Sequence, residues 1–89
     1  MIEEFNRTIP RSIYARDGWT VVRFADYFEK NGIESDEAYK LMKGEYKTWL
    51  TENVDKENWE FGGVTKFSYR IQFRNEIDAL AFKLRFGIF

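Results

Sequence analysis

The side chains that could do chemistry in this 89-residue chain are carboxylates, lysines, tyrosines and hydroxyls. The sequence contains no histidine and no cysteine. Their absence removes the commonest general base, the usual zinc ligands and all thiolate chemistry. A buried carboxylate pair could still perform acid–base catalysis, but no spacing in the sequence indicates one. We therefore expect a non-enzymatic protein with no cofactor, no metal site and no disulfides.

Three cations recur at every fourth residue along one predicted strand, where Lys66, Arg70 and Arg74 share a side. Their spacing is about 13 Å at the usual rise of a strand. Such a row could contact the phosphates of single-stranded nucleic acid, with a basic arm containing Arg11 and Arg16. The competing interpretation is a solvated sheet face whose arginines pair with acidic residues. Nucleic-acid binding is therefore an alternative function.

The segment after this strand predicts a helix that is apolar on two opposite sides. One side has the spacing of an ideal helical face and contains Ile77, Leu80, Ala81 and Leu84. The other side contains Ala79, Phe82 and Phe86. We expect the first side to face the core. The second side is either covered by residues 1–20 or forms a protein or homodimer interface. The residues expected to bind a partner are Phe82, Phe86, Ile88 and Phe89.

The same segment resembles the ends of small uncharacterised accessory proteins of tailed bacteriophages. Residues 73–87 read Phe-Arg-Asn-Glu-Ile-Asp-Ala-Leu-Ala-Phe-Lys-Leu-Arg-Phe-Gly. In those proteins an aromatic strand leads into a similar Asp-Ala-x-x-Phe-x-Leu helix that ends near a glycine. The resemblance implies a compact, phage-encoded accessory protein of the host cytoplasm that binds host or phage proteins. It assigns no site residues to this chain.

The strands that would position these residues form a small antiparallel sheet. Residues 66–74 alternate between apolar and polar side chains, which is typical of a half-buried strand. The Gly62-Gly63 pair predicts a tight hairpin that joins residues 59–61 to the start of this strand. Because a lone hairpin is marginally stable, a third strand is needed, and residues 9–15 supply it most simply.

Two helices are predicted between the first strand and the hairpin. Thr20 is a plausible N-cap for a helix whose apolar face includes Val21 and Phe28, and Asn31-Gly32 would end it. A strand over residues 19–24 is the alternative. Ser35 would cap the next helix, whose apolar stripe is Ala38, Tyr39, Met42, Tyr46, Trp49 and Leu50. The prediction is one α+β domain over residues 1–89, in the order β-α-α-β-β-α, with two or three strands and about three helices.

The charge distribution restricts the possible partners. A net charge of −1 argues against a general polyanion binder, although residues 26–60 are acidic and residues 61–89 are basic. No signal peptide and no apolar run of about 18 residues is visible, so we predict a cytoplasmic protein without a membrane span. Protein–protein binding is the leading hypothesis. Besides nucleic-acid binding, a further alternative is a structural subunit whose extra apolar face is filled by its neighbours.

Overall fold

The computed structural model describes residues 16–63 and 69–88. Strands β1 (Thr20–Arg23), β2 (Trp59–Gly63) and β3 (Arg70–Phe73) form an antiparallel sheet in the order β1-β3-β2. The α-helical elements are the short helix (Ala25–Lys30), the long helix (residues 35–53) and the last helix (Glu76–Phe86), and a 3-10 turn (Lys56–Asn58) precedes β2. These elements confirm the predicted α+β class and the order β-α-α-β-β-α.

The first strand lies where a helix was predicted to begin, so the helix starting at Thr20 is wrong over residues 20–23. Val22 pairs with Ile71 of β3, and both side chains are buried. Alternation continues to Phe24, which is buried and whose N–H donates to the carbonyl of Tyr69 at 3.1 Å. β1 therefore pairs with one side of the central strand β3, and β2 pairs with the other side. Residues 9–15, predicted as that strand, lie outside the described residues.

The short helix ends as its sequence predicts. Gly32 has a φ of 66°, in the left-handed region that glycine adopts without a steric penalty. The N–H of Ile33 donates to the carbonyl of Phe28 at 2.8 Å, and that of Gly32 to Glu29 at 3.2 Å. Together these bonds form a Schellman motif, which satisfies carbonyls at the end of the helix.

The long helix contains a π-helical turn that keeps its apolar stripe on one side. Two α-helical parts, Ser35–Leu41 and Lys47–Asn53, flank the π-helical Met42–Tyr46. On a regular α-helix each four-residue step overshoots a full turn by about 40°, so a stripe with that spacing drifts around the helix. A π-helical turn is wider and reduces the drift. The residues at this spacing are all buried: Ala38, Met42, Tyr46 and Leu50. Ser35 is the first helical residue, and Glu34 occupies the cap position.

The pairing of β2 with β3 is confirmed, but the predicted two-glycine turn is wrong. Gly62 and Gly63 belong to β2, and Phe61 and Gly63 pair with Ile71 and Arg70, so Gly62 forms a bulge. A Cβ at Gly62 would lie 2.6 Å from Cγ of Arg70. The Arg70 side chain crosses the position of this Cβ, so a larger residue would fit at position 62 only if that side chain moved.

One hydrophobic core joins the sheet to the three helices. Across the inner face of the sheet, Val22, Ile71 and Phe61 lie side by side, and all three are buried. Phe73 continues this face toward the last helix, where its ring centroid lies 5.6 Å from that of Phe82. The last helix is thereby fixed against the central strand, which determines which of its two apolar sides is hidden.

Candidate functional site

The last helix begins and ends with residues suited to its two ends. Asn75 precedes it in an extended conformation, and acidic residues occupy the first turn. Lys83 and Arg85 lie in the last turn, so the charges of both ends oppose the helix dipole. Gly87 follows with a φ of 65°. The N–H of Ile88 donates to the carbonyl of Lys83 at 3.0 Å, and the Ile88 side chain is buried.

One side of this helix is held in an aromatic cluster centred on Phe82, which is fully buried. Its ring lies 5.2 Å from Tyr46 and 5.7 Å from Trp49 of the long helix, in edge-to-face geometry. Phe24 approaches it edge-on at 6.0 Å, and Phe86 lies at 5.0 Å. Edge-to-face pairs at such distances are favourable beyond the area that they bury. The cluster therefore determines how the helix is rotated about its own axis.

The opposite side of the same helix is an apolar surface open to solvent, which we call the aliphatic face. Its members follow one another at intervals of three, one and three residues: Ile77, Leu80, Ala81 and Leu84. The exposed fractions are 80% for Ile77, 53% for Leu80 and 63% for Leu84. Single exposed aliphatic residues are ordinary. Three on one helical stripe form a continuous patch of the kind found at protein contact sites.

The structure thus reverses the prediction made for the two sides of the last helix. The aliphatic face, expected in the core, is exposed. The expected partner-binding residues Phe82 and Ile88 are buried, and Phe86 is half-buried against the core, so on this chain they pack inward. Phe89 lies outside the described residues. Phe82 and Phe86 are covered by the long helix through Tyr46 and Trp49. Cover by residues 1–20 was one of the two predicted alternatives, and residues 1–15 lie outside the described residues.

The outer face of the sheet contains a polar cluster that the sequence did not predict. Gln72 is fully buried and Glu60 is 6% exposed. Nε2 of Gln72 donates to Oε1 of Glu60 at 3.0 Å. Arg16 donates to both carboxylate oxygens of Glu60, and its backbone N–H donates to Oε1 of Gln72 at 2.8 Å. The bond with Glu60 raises the pKa of Arg16, which keeps the guanidinium charged.

The predicted basic row is not an open stripe of free cations in the described part of the chain. Arg16 is paired with Glu60, and the side chain of Arg70 is half-buried beside Gly62. Gln72, expected on a solvated face, is buried. Arg74 is exposed. Lys66 of the row and Arg11 of the basic arm lie outside the described residues, so their roles stay predictions.

Burial also changes the acidity of two tyrosines in the core. Desolvation raises the pKa of Tyr46 above its ordinary value, and the nearby Tyr27 and Glu45 act in the same direction. Burial raises the pKa of Tyr69 for the same reason. Neutral phenols are therefore favoured in the folded state. Both tyrosines belong to the hydrophobic core and contribute packing.

A surface cleft of about 550 Å³ lies between the short helix and the start of the long helix. Phe28, Ile33 and Ala38 form its floor, and Glu29, Glu34 and Asp36 lie at its rim. Acidic residues near the start of a helix are sufficiently explained by the helix dipole. In residues 16–63 and 69–88 no group of acidic side chains is arranged to hold a metal ion.

Comparison with protein families, with curated proteins and with solved structures gave no match for this chain. Among the described residues, no helix is both long enough and apolar enough to cross a lipid bilayer. The candidate site therefore rests on geometry alone, and the aliphatic face of the last helix is its strongest feature.

Proposed function

We propose that this chain is a non-enzymatic protein-binding module of the cytoplasm, and that the aliphatic face of its last helix is the contact surface. One observation supports the proposal. Ile77, Leu80 and Leu84 are exposed on one stripe of a helix whose other side is fixed in the core. Burying these side chains against a partner would gain about 25 cal/mol for each Å² of apolar surface removed from water.

The two sides of the last helix favour a contact role over a simple packing role. Its phenylalanines already anchor it to the sheet and to the long helix. The aliphatic residues are thus not needed to hold the helix in place. A rigid helix with three aliphatic side chains at these intervals matches the way amphipathic helices bind apolar partners. The resemblance to phage accessory proteins would make a host or phage protein the partner.

Nucleic-acid binding through the outer face of the sheet is the less favoured candidate, because Arg16 is already paired with Glu60 and Gln72 is buried. It stays a prediction, since Arg74 is exposed and Lys66 and Arg11 lie outside the described residues. The structural-subunit hypothesis is a special case of the protein-binding proposal. In that case, neighbouring subunits of a larger assembly cover the aliphatic face.

A site-specific cross-linker tests the proposal directly. Since the chain has no cysteine, Leu80→Cys provides a single thiol for attaching a benzophenone group on the aliphatic face. Lys40→Cys, at an exposed position of the long helix, is the matched control. In a cell extract we expect protein adducts from position 80 that are absent from position 40. Equal yields at both positions, or no adduct at either, would reject the proposal.

A further inference from the structure

We infer that the aliphatic face of the last helix binds the same face of a second copy of this chain, with the two helices antiparallel. The inference rests on the proposed function and names its partner. The two-fold axis would pass between Leu80 and Ala81, which are the two central members of the face. Isologous contacts of this kind are the commonest form of homo-oligomer interface.

The apolar residues fit this axis because they are placed symmetrically around it. Ile77 lies as far before the axis as Leu84 lies after it, so Ile77 of one copy meets Leu84 of the other at the same height. Leu80 of one copy meets Leu80 of the other beside the axis. Ala81, at the same level, is small and allows the helix axes to approach to the usual 8–10 Å or so.

The charges beside the face determine the direction of the pair. The 100° turn per residue of an α-helix places the Cα atoms of Glu76 and Lys83 on one flank, and those of Asp78 and Arg85 on the other. The Arg85 guanidinium lies 4.9 Å from the centroid of the Phe86 ring, and it would turn toward the aliphatic face on pairing. In an antiparallel pair each flank meets the same flank of the second copy. Glu76 then faces Lys83 of the second copy, and Asp78 faces Arg85, each offset by about 3 Å along the axis at 1.5 Å per residue.

A parallel pair would have the opposite electrostatic result. It would place the acidic first turns side by side and the basic last turns side by side. It would also align the two helix dipoles, which is unfavourable. Charge complementarity at the rim of an interface mainly determines orientation and specificity. The sequence of the last helix therefore selects the antiparallel arrangement among the ways in which two aliphatic faces can meet.

The pair should be weak and dependent on concentration. The last helix has 11 residues and is about 16 Å long at 1.5 Å per residue. Its aliphatic face alone is smaller than the surface of about 800 Å² per partner that stable complexes bury. We expect the molar mass from light scattering to rise toward twice the monomer value as the protein concentration is increased.

Disulfide trapping with the purified full-length chain tests both the pairing and its direction. Under mild oxidation, Leu80→Cys should form a covalent dimer, because the two thiols meet beside the axis. Ile77→Cys alone should not, since the two copies of residue 77 would lie about 10 Å apart along the helices. A mixture of Ile77→Cys with Leu84→Cys should form the mixed dimer. Thermal unfolding checks that each variant remains folded.

Three outcomes would overturn the inference. Dimer formation by Ile77→Cys alone would indicate a parallel pair. A Leu80→Cys protein that stays monomeric and is freely alkylated would show that a second copy does not bind. A monomer whose thiol is protected from alkylation would show that another part of the same chain covers the face. A monomeric, freely alkylated Leu80→Cys protein could still form cross-linked adducts with other proteins in the extract. That result would reject self-association and keep the proposed function.

Discussion

Leu80 and Phe82 lie two residues apart on the last helix and point to opposite sides of it. Phe82 is fully buried among aromatic rings, whereas more than half of the Leu80 side chain is exposed to solvent. A change at Phe82 should therefore affect folding, and a change at Leu80 should affect contacts with other molecules. This separation of roles within one helical turn is the basis of the functional proposal.

Truncation of the two residues should give very different losses of stability. Phe82→Ala would leave a cavity between Phe24, Tyr46 and Phe73. We expect it to lower the free energy of unfolding by about 3–5 kcal/mol. Leu80→Ala removes a mostly exposed side chain and should cost less than about 1 kcal/mol. Urea denaturation measures both values, and equal losses would show that Leu80 also lies in the core.

A side chain at Gly62 should destabilise the bulge. Gly62→Ala places a methyl group against Cγ and Nε of Arg70, and we expect a loss of about 1–3 kcal/mol from overpacking. Gly44→Ala is the matched control, because no atom lies within 4 Å of the added Cβ. It should be neutral or should stabilise the long helix by up to about 1 kcal/mol. A Gly62→Ala protein as stable as the wild type would mean that Arg70 takes another path.

The polar cluster on the outer face of the sheet should behave as a coupled unit. Gln72→Leu removes the amide group that donates to the Glu60 carboxylate and accepts from the backbone N–H of Arg16. We expect a loss of about 1–3 kcal/mol. The double variant with Glu60→Leu should lose less than the sum of the two single variants, because both polar partners are then replaced. Additive losses in chemical denaturation would argue against coupling.

Alkaline pH should weaken the fold partly through Tyr46. Its pKa is higher in the folded protein than in the unfolded chain, where tyrosine ionises near pH 10 or so. Below that pH both states are neutral and stability is unaffected. Above it the unfolded chain loses a proton that folded Tyr46 retains, so stability falls as the pH rises. Tyr46→Phe should reduce this fall in stability. The stabilities of the variant and the wild type should therefore be closer at pH 7 than at alkaline pH. Identical pH profiles of the melting temperature would contradict the assignment.

Periodicity predicted the parts of the fold in which one pattern dominates. The stripe of the long helix, with Met42 and Leu50, has one interpretation and is confirmed. The strand predicted from the alternation is found over Arg70–Phe73, but Gln72 on its polar side is buried. The glycine after the short helix also fulfils its predicted role, because a positive φ is a local property. The class α+β and the order of elements follow from these local patterns.

The errors arose where two patterns compete and a distant partner decides between them. Residues 20–23 fit a helical face as well as a strand, and pairing with β3 selects the strand. On the last helix both sides are apolar. The aliphatic side has the more regular spacing, but the rings of Tyr46 and Trp49 provide a binding surface that suits Phe82 and Phe86. The number of aromatic residues on the long helix was a usable signal for this choice.

Some features had no signal in the sequence. The burial of Gln72 depends on Glu60 and Arg16, which are distant along the chain and meet only in the folded sheet. Gly62 gave a clear turn signal, yet it forms a bulge because the Arg70 side chain occupies the space beside it. Both cases depend on contacts between elements, and local residue preferences do not encode such contacts.

The central claim is that one side of the last helix is buried in the core and the other side is exposed for contact with a partner. Thiol reactivity at two neighbouring alanines tests this claim most directly. Ala79 is buried and Ala81 is exposed, and either can be changed to cysteine with little added volume. In dilute solution Ala81→Cys should react rapidly with an alkylating reagent, and excess wild-type protein should slow that reaction. Ala79→Cys should react slowly throughout. Faster reaction at position 79 than at position 81 would contradict the orientation of the helix and the proposal that its aliphatic face is a contact surface.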